Sequence, residues 1–254
     1  TGGVAVSIDK SNGALVSYKK GNTELIGQAL LPHFTRPQTD NDRKGWKTHR
    51  VLKQWYDNQP QLKSVATAEV DGLKGVQSVY TMVNDSVEVK VFYAVNKDGV
   101  VKVAYQLNVQ PGLPNIPKVG MQTGVNKTFT QIQYFGRGPL ENYIDRKYGF
   151  NAGLFDADIY DFMEPYVVPQ ENGNRTDVRW LNLYRKGSKE GINIVADSLL
   201  SMSAWPYSEK NITEAKHTHK LYPANYITLN IDLVQMGVGG NDSWSEVAAP
   251  LDQY

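Results

Sequence analysis

Cysteine is absent from this 254-residue chain. Its absence excludes a disulfide framework, a thiolate metal site and a cysteine nucleophile. It does not select a compartment, because proteins without cysteine occur in reducing and in oxidising surroundings. The sequence therefore leaves cytoplasm and periplasm equally open.

The sequence also lacks an excess of charge of one sign, since it has 27 basic and 26 acidic side chains and a net charge of +1. So small a charge creates no long-range field toward nucleic acid or anionic lipid. No run of about 18 apolar residues occurs, so we expect no membrane-spanning segment. The start, Thr1-Gly2-Gly3-Val4, does not have the pattern of a signal peptide, and we interpret it as a trimmed end.

Strand patterns dominate the rest of the sequence. Residues 86–95 and 101–109 alternate apolar and polar side chains around a turn at residues 96–99, which predicts a β-hairpin with Gly99 at positive φ. Turn residues recur along the chain, and no linker or shift in composition divides it. The sequence predicts a single all-β domain over residues 1–254, an antiparallel sandwich of many strands.

Other elements follow from the same patterns. Further strands are predicted at residues 4–8, 14–18, 23–26, 128–135, 178–184, 191–196, 201–204 and 226–236. Helices are scarce: one or two turns over residues 50–58, and a short helix over residues 156–163 that Pro165 ends. Residues 31–46 are polar and irregular, and a loop of such length in a compact domain is functional or packs on a neighbour.

A pair of histidines is the first candidate for chemistry. On a strand, His217 and His219 would share one face and supply half of a metal site. Such a site needs a third ligand, and the neighbouring Lys216 and Lys220 disfavour a dication. A histidine-rich strand end is the simpler interpretation.

Carboxyl groups are the second candidate, because glycoside hydrolysis needs two of them about 5–10 Å apart. The candidates are Glu141, Asp145, Asp161, Glu164 and Glu171. A strand pattern does not say which of them converge. Two roles stay open for Glu171: a catalytic carboxylate, or an acceptor of backbone or arginine hydrogen bonds in its turn.

The third candidate is a loop near the end of the chain, where a regular strand runs into glycines, polar residues and an indole. Trp244 beside Asn241 and Asp242 is typical of a sugar site, in which the indole stacks on sugar C–H groups and short polar side chains bind hydroxyls. An indole folded back onto the sandwich edge is the alternative. The glycines at residues 136–138 and 237–240 open no helix, so we interpret them as turns or bulges rather than phosphate loops.

Four segments together resemble a known family. They are residues 31–42 (Leu-Pro-His-Phe, then Arg36 and Thr-Asp-Asn-Asp), 134–146 (Tyr-Phe-Gly-Arg-Gly-Pro, then Glu-Asn-Tyr and Asp-Arg), 165–180 (Pro-Tyr-Val-Val-Pro-Gln-Glu-Asn-Gly, then Arg-Trp) and 237–244 (Gly-Val-Gly-Gly-Asn-Asp-Ser-Trp). In this order they are similar to the C-terminal domain of the large β-galactosidases of glycoside hydrolase family two. The resemblance covers nearly the whole chain.

The resemblance implies a β supersandwich, the fold of galactose mutarotases, within a parent enzyme of several domains. An upstream (β/α)₈ barrel would carry both catalytic glutamates, so this chain would hold no catalytic residue and would be inactive alone. Trp244 would form an aromatic wall at the mouth of the galactoside pocket, with Asn241 and Asp242 shaping its loop. Residues 39–46 and 136–146 would serve loop structure and docking of other domains.

The same resemblance sets expectations for ligands and partners. It implies no cofactor in this chain, because Mg and Na of the parent would be bound mainly by other domains. The expected partners are a galactoside, the upstream domains of the same polypeptide and further copies of the parent, with neither nucleic acid nor a membrane. A bacterial source is expected, and a family strand expected beyond Tyr254 would leave an unpaired edge if it were missing.

Two rival functions stay open. An aldose 1-epimerase of the same fold class would use a histidine acid and a glutamate base, roles for which His217 or His219 and Glu171 are candidates. A non-catalytic carbohydrate-binding module would use Trp244 with about millimolar affinity. The four motifs favour the β-galactosidase domain over both.

Overall fold

The structure, a computed structural model, describes residues 3–239. Its strands form a ten-stranded and a four-stranded sheet, in which the strand pairings are antiparallel. The predicted all-β, antiparallel fold class is therefore confirmed.

The larger sheet begins and ends with hairpins, and its central strands come from distant parts of the chain. Its strands are β1 (Val4–Ile8), β2 (Leu15–Lys20), β3 (Thr23–Glu24), β4 (Ile26–His33), β9 (Lys118–Asn126), β10 (Gln131–Arg137), β11 (Ala152–Asp158), β12 (Arg175–Tyr184), β13 (Gly191–Trp205) and β14 (Tyr226–Gln235). Their spatial order is β1-β2-β4-β9-β14-β13-β12-β10-β11, with β3 beside β2. β9 and β14 thus bring the ends of two distant segments, at residues 118 and 235, to the same place.

The smaller sheet is a meander of β5 (Gln61–Val70), β6 (Leu73–Met82), β7 (Val87–Val95) and β8 (Val101–Val109). The predicted hairpin is β7–β8, in which Val95 pairs with Val101 and Gly99 takes a φ of 83°. The side chain of Asn96 closes the turn by accepting hydrogen bonds from the backbone N–H groups of Asp98 and Val100, both at 2.9 Å. Local turn chemistry is enough to fix this register.

Helical elements are short and lie outside the sheets. α1 (Thr48–Val51) and α2 (Lys53–Asp57) match the helix predicted at residues 50–58, and α3 (Glu209–Glu214) follows β13. A π-helical turn covers Asn41–Gly45, and a single 3₁₀ turn covers Thr218–Lys220. No helix within residues 3–239 has the length and apolar character needed to cross a membrane.

Two apolar clusters hold these layers together. The first joins the small sheet to one end of the large one, for example through Val89 and Val91 on β7 and Met121 on β9, and it includes the fully buried Trp55. The second lies at the other end of the large sheet and centres on Ile132, Leu181, Met202 and Leu229. Burying each such side chain stabilises the fold by about 1.5–3 kcal/mol.

Several sequence predictions were wrong in detail. Residues 156–163 are not a helix, because residues up to 158 belong to β11, whose Phe155 packs against Tyr134 with 5.5 Å between ring centroids. The segment at residues 31–46 is only partly irregular, since β4 continues to His33. The strands predicted at residues 191–196 and 201–204 are one strand, β13, interrupted by a shift in its register with β12.

Candidate functional site

The four motif segments meet where β14 ends. Arg36 donates from Nη1 to the carbonyl oxygen of Met236 and from Nη2 to that of Gly237, both at 2.8 Å. The same guanidinium makes a two-pronged contact with Asp42, from Nε at 3.0 Å and Nη2 at 2.9 Å. Both side chains are only 1% exposed, so a buried charge pair fixes the start of the segment that leads to Trp244.

Two further side chains hold the next residues of this segment. Asn41 donates from Nδ2 to the carbonyl oxygens of Val238, at 2.8 Å, and Gly239, at 2.6 Å. Asp145 accepts from the backbone N–H of Gly239 at 2.5 Å. Arg36, Asn41 and Asp145 thus bind backbone atoms of residues 236–239, and Asp42 holds Arg36 in place. We call these four residues the loop clamp.

The close approach of Asp145 explains the glycines of this segment. A Cβ atom at position 239 would lie 2.6 Å from Oδ2 of Asp145, and one at position 237 would also overlap this carboxylate. The carboxylate therefore reaches the backbone only where side chains are missing. The structure assigns no turn at residues 236–239, so the glycines there serve the close approach of Asp145 rather than the turn or bulge predicted for residues 237–240.

The motif segments at residues 134–146 and 165–180 contact each other and the loop around residue 40, which carries part of the clamp. The backbone N–H of Glu171 donates to the carbonyl oxygen of Pro37 at 3.0 Å, and the Gln170 side chain accepts from the N–H of Asp40 at 2.9 Å. Glu141 accepts from the N–H of Gly173 at 2.8 Å. These contacts join the loops around residues 40, 141 and 171 into one packed unit.

Several ionisable side chains are buried in and around this unit. Burial raises the pKa of Glu171 to about 8, although nearby Lys118 and Arg36 oppose the rise. Burial likewise raises the pKa of Asp232 to about 6, against the attraction of Lys118, whose Nζ lies 3.5 Å from Oδ2. Burial thus favours the neutral form of the Glu171 carboxyl group, whose Oε2 has no hydrogen-bond partner among the described residues.

The remaining candidate carboxylates have other surroundings. Glu141 contacts Arg146 and the hydroxyl of Tyr166 in addition to the N–H of Gly173. Asp161 and Glu164 line a separate cavity of about 310 Å³. Glu141 and Asp145 therefore hold loops in place.

The histidine pair does not lie on a strand, so that prediction was wrong. His217 precedes the 3₁₀ turn that contains His219, and their rings stack with centroids 5.5 Å apart and planes 8° apart. Both residues are exposed. Within residues 3–239, no group of three or more histidine and acidic side chains is arranged to hold a metal ion.

The predicted substrate-binding residues Trp244, Asn241 and Asp242 lie outside the described residues. The structure instead describes the clamp that holds the chain as far as Gly239. Sequence reasoning did not assign roles to Arg36, Asn41 and Asp145 in this clamp. Their positions within the motif segments could have indicated a role. Their binding partners, however, lie 94 to 201 residues away in the sequence, so no local sequence pattern identifies the contacts.

Comparison with known proteins adds the family. All residues from 1 to 254 match the family model described as beta galactosidase small chain. The chain belongs to this family. Its relatives include β-galactosidases of Priestia megaterium (34% identical over 95% of this chain), Halalkalibacterium halodurans (33% over 98%) and Streptococcus thermophilus (30% over 94%).

The match covers only part of the length of each relative. The chain spans only 23%, 25% and 24% of the lengths of these three relatives. Among solved structures, a galactose mutarotase related enzyme from Lactobacillus acidophilus has a TM-score of 0.42 and 10% sequence identity. The match covers 100% of this chain and 90% of the length of that enzyme.

The buried pair in the clamp gives a first prediction. Asp42→Asn keeps the side-chain shape but leaves the Arg36 charge without its counter-charge, so the free energy of unfolding should fall by about 3–5 kcal/mol in urea denaturation. The control is Asp57→Asn, which breaks the Lys53–Asp57 pair at 67% and 55% exposure and should cost less than about 1 kcal/mol. Equal losses in the two variants would contradict the role given to the buried pair.

The buried carboxyl group gives a second prediction. The pKa of Glu171 is raised on folding, so the unfolded chain ionises first and stability falls as pH rises from about 4.5 to about 8. We therefore compare the free energy of unfolding of Glu171→Gln with that of the parent chain, by urea denaturation at pH 5 and at pH 9. The difference should favour the variant more at pH 9 than at pH 5.

The matched control for this pH experiment is Thr176→Val, which alters a buried side chain five positions along the chain that has no ionisable group. Its effect on the free energy of unfolding should be the same at both pH values. A Glu171→Gln effect that is also independent of pH would refute the assigned ionisation.

Proposed function

We propose that this chain is the C-terminal part of a β-galactosidase that hydrolyses terminal β-D-galactosides. In this proposal both catalytic glutamates belong to an upstream barrel. The chain contributes Trp244 as an aromatic wall of the galactoside pocket, with Asn241 and Asp242 shaping the loop. It also contributes the contacts that dock it on the upstream domains.

The observation that carries the proposal is the family match over residues 1–254 together with its coverage. Relatives called β-galactosidases are about four times as long as this chain, as their 23–25% coverage implies. A chain that matches a quarter of such an enzyme is expected to supply one part of its site. The remaining parts, including acid and nucleophile, then belong to the rest of the polypeptide.

The loop clamp supports a role for the residues that follow it. A stacking indole is useful only if its position is fixed before the sugar arrives, because ordering a loop on binding costs affinity. The clamp fixes the backbone through Gly239 with five hydrogen bonds from three side chains to or from the backbone. Five more residues extend at most about 18 Å, which limits where the Trp244 indole can act.

The surroundings of the candidate carboxylates also agree with catalysis by another domain. Glu171 is 3% exposed, and Glu141 and Asp145 are bound to loop backbone. A glycosidase pair needs two carboxyl groups that face a common sugar. Glu141 and Asp145 instead hold loop backbone, and the Glu171 carboxyl group is buried.

The epimerase alternative receives less support. Its candidate base, Glu171, is buried, whereas its candidate acids, His217 and His219, are exposed beside a 3₁₀ turn. A general acid and base must both reach the same substrate. We therefore prefer the β-galactosidase assignment.

Hydrolysis by the chain itself is the first test. The purified 254-residue chain should not release nitrophenol from a nitrophenyl β-galactoside, whereas the complete β-galactosidase polypeptide that contains it should. Turnover that copurifies with the folded chain through several chromatographic steps would refute the location of the catalytic groups.

The aromatic wall is tested in the complete enzyme. Trp244→Ala should raise KM about fivefold, since stacking on an aromatic ring contributes about 1 kcal/mol, and the circular dichroism spectrum should not change. Trp244→Phe should recover part of the loss. The control Tyr222→Ala removes an aromatic ring that is 65% exposed and should leave KM unchanged. Unaltered kinetics in Trp244→Ala would remove the assignment.

A further inference from the structure

A cleft of about 540 Å³ lies between β4, β9 and α3. Its volume is within the range of about 300–1,000 Å³ that is usual for small-molecule sites. None of the loop clamp residues lines it. The cleft is therefore distinct from the loop clamp.

One wall of the cleft presents a carboxylate in a fixed orientation. Oε2 of Glu209 lies 3.1 Å from Nε2 of His33 and accepts from Nε2 of Gln122 at 2.6 Å. Its other oxygen, Oε1, makes no hydrogen bond with the residues between 3 and 239. The side chains of Glu209 and His33 remain 19% and 16% exposed, and both residues line the cleft.

Buried groups behind the wall hold this arrangement. Gln122 donates to Oδ1 of Asn230 at 2.9 Å, and Lys118 donates to the same oxygen at 2.8 Å. Asn230 in turn donates to the hydroxyl of Ser203 at 2.9 Å. A carboxylate supported by a buried hydrogen-bond network is oriented before any ligand binds.

The rest of the lining mixes neutral polar groups with the apolar side chains of Ala29, Leu31, Pro32 and Pro60, and it carries little net charge. Gln28, Gln59 and Thr213 offer amide and hydroxyl groups. Lys210 and Glu214 lie 3.9 Å apart and offset each other's charge. Glu209 disfavours an anion, and its contact with His33 weakens its attraction for a cation. The lining thus suits hydroxyl groups better than ions.

An aromatic side chain completes the cleft. Tyr226 belongs to the lining and lies over Gly124, where a Cβ atom would come within 2.7 Å of the ring. The glycine therefore leaves room for the ring against the sheet. A carboxylate, several amides and an aromatic ring are the groups that recognise the hydroxyls and C–H faces of sugars.

We propose that this cleft is a second binding site, independent of Trp244, for a neutral sugar. Hydroxyl groups of the sugar donate to Oε1 of Glu209 and exchange hydrogen bonds with Gln28, Gln59 and Thr213. Tyr226 supplies the apolar wall. The network through Gln122 and Asn230 keeps Glu209 in place.

The site is tested by titrating the isotopically labelled 254-residue chain with D-galactose, D-glucose and lactose, and following amide resonances by NMR. At least one of these sugars should bind saturably with a Kd of about 1–10 mM and shift the resonances of β4, β9 and α3. Inorganic phosphate and ethylamine are the charged probes, and neither should shift these resonances.

Two variants locate the binding within the cleft. Glu209→Gln should weaken it by at least about tenfold, because an amide is a poorer acceptor than a carboxylate. Thr213→Trp obstructs the cleft from an exposed position of α3 and should abolish binding without disturbing the core. Glu164→Gln, in the smaller cavity, is the matched control for Glu209→Gln and should bind like the parent chain.

Several outcomes overturn the proposal. They are the absence of saturable binding of all three sugars up to about 50 mM, tighter binding of a charged probe, and unchanged binding in both Glu209→Gln and Thr213→Trp. Trp244→Ala separates the two sites, since it should leave cleft binding intact. Loss of sugar binding in Trp244→Ala alone would assign the binding to the loop and remove the cleft site.

Discussion

The buried guanidinium of Arg36 connects the loop after β4 to the last described residues of the chain. Arg36 makes hydrogen bonds with Asp42, six residues away, and with carbonyl oxygens 200 and 201 residues away. A charge at 1% exposure is tolerated only when its donors are satisfied and a counter-charge is near. The motif around residue 36 and the glycine-rich segment after β14 are therefore parts of one structural unit.

The placement of this unit follows from the topology of the large sheet. β4 and β14 both pair with β9, so the loop after His33 and the segment after Gln235 emerge close together. Apolar packing fixes the three strands, and charge pairs then fix the loops beyond them. Lys118, at the start of β9, contributes to both regions, because it attracts Glu171 beneath the clamp and Glu209 at the cleft.

The sequence predicted only part of what has a local cause, since it missed the β5–β6 hairpin, in which Val70 pairs with Leu73 across Asp71 and Gly72. The β7–β8 hairpin was predictable because strand alternation and a turn closed by Asn96 and Gly99 act within 25 residues or fewer. β9 was not predicted, since Gly120 and Gly124 interrupt its pattern, yet they are required where Asp232 and Tyr226 approach its backbone. The clamp contacts of Asn41 and Asp145 were likewise unpredictable, because they depend on which distant loop ends meet.

The two polar regions differ in how their charges are used, and this difference separates their roles. In the clamp, Asp42 is saturated by the guanidinium of Arg36 and the backbone N–H of Thr39, so it has little capacity left for a ligand and acts as a fixed support. Asp145 accepts from Gly239 through Oδ2, and its buried Oδ1 has no partner among residues 3–239. At the cleft, Glu209 uses one oxygen for His33 and Gln122 and keeps the other open. Support for a neighbouring loop requires the first arrangement, and recognition of a ligand requires the second. The same sheet therefore provides a rigid support for residues 236–239 at one place and the wall of the cleft at another.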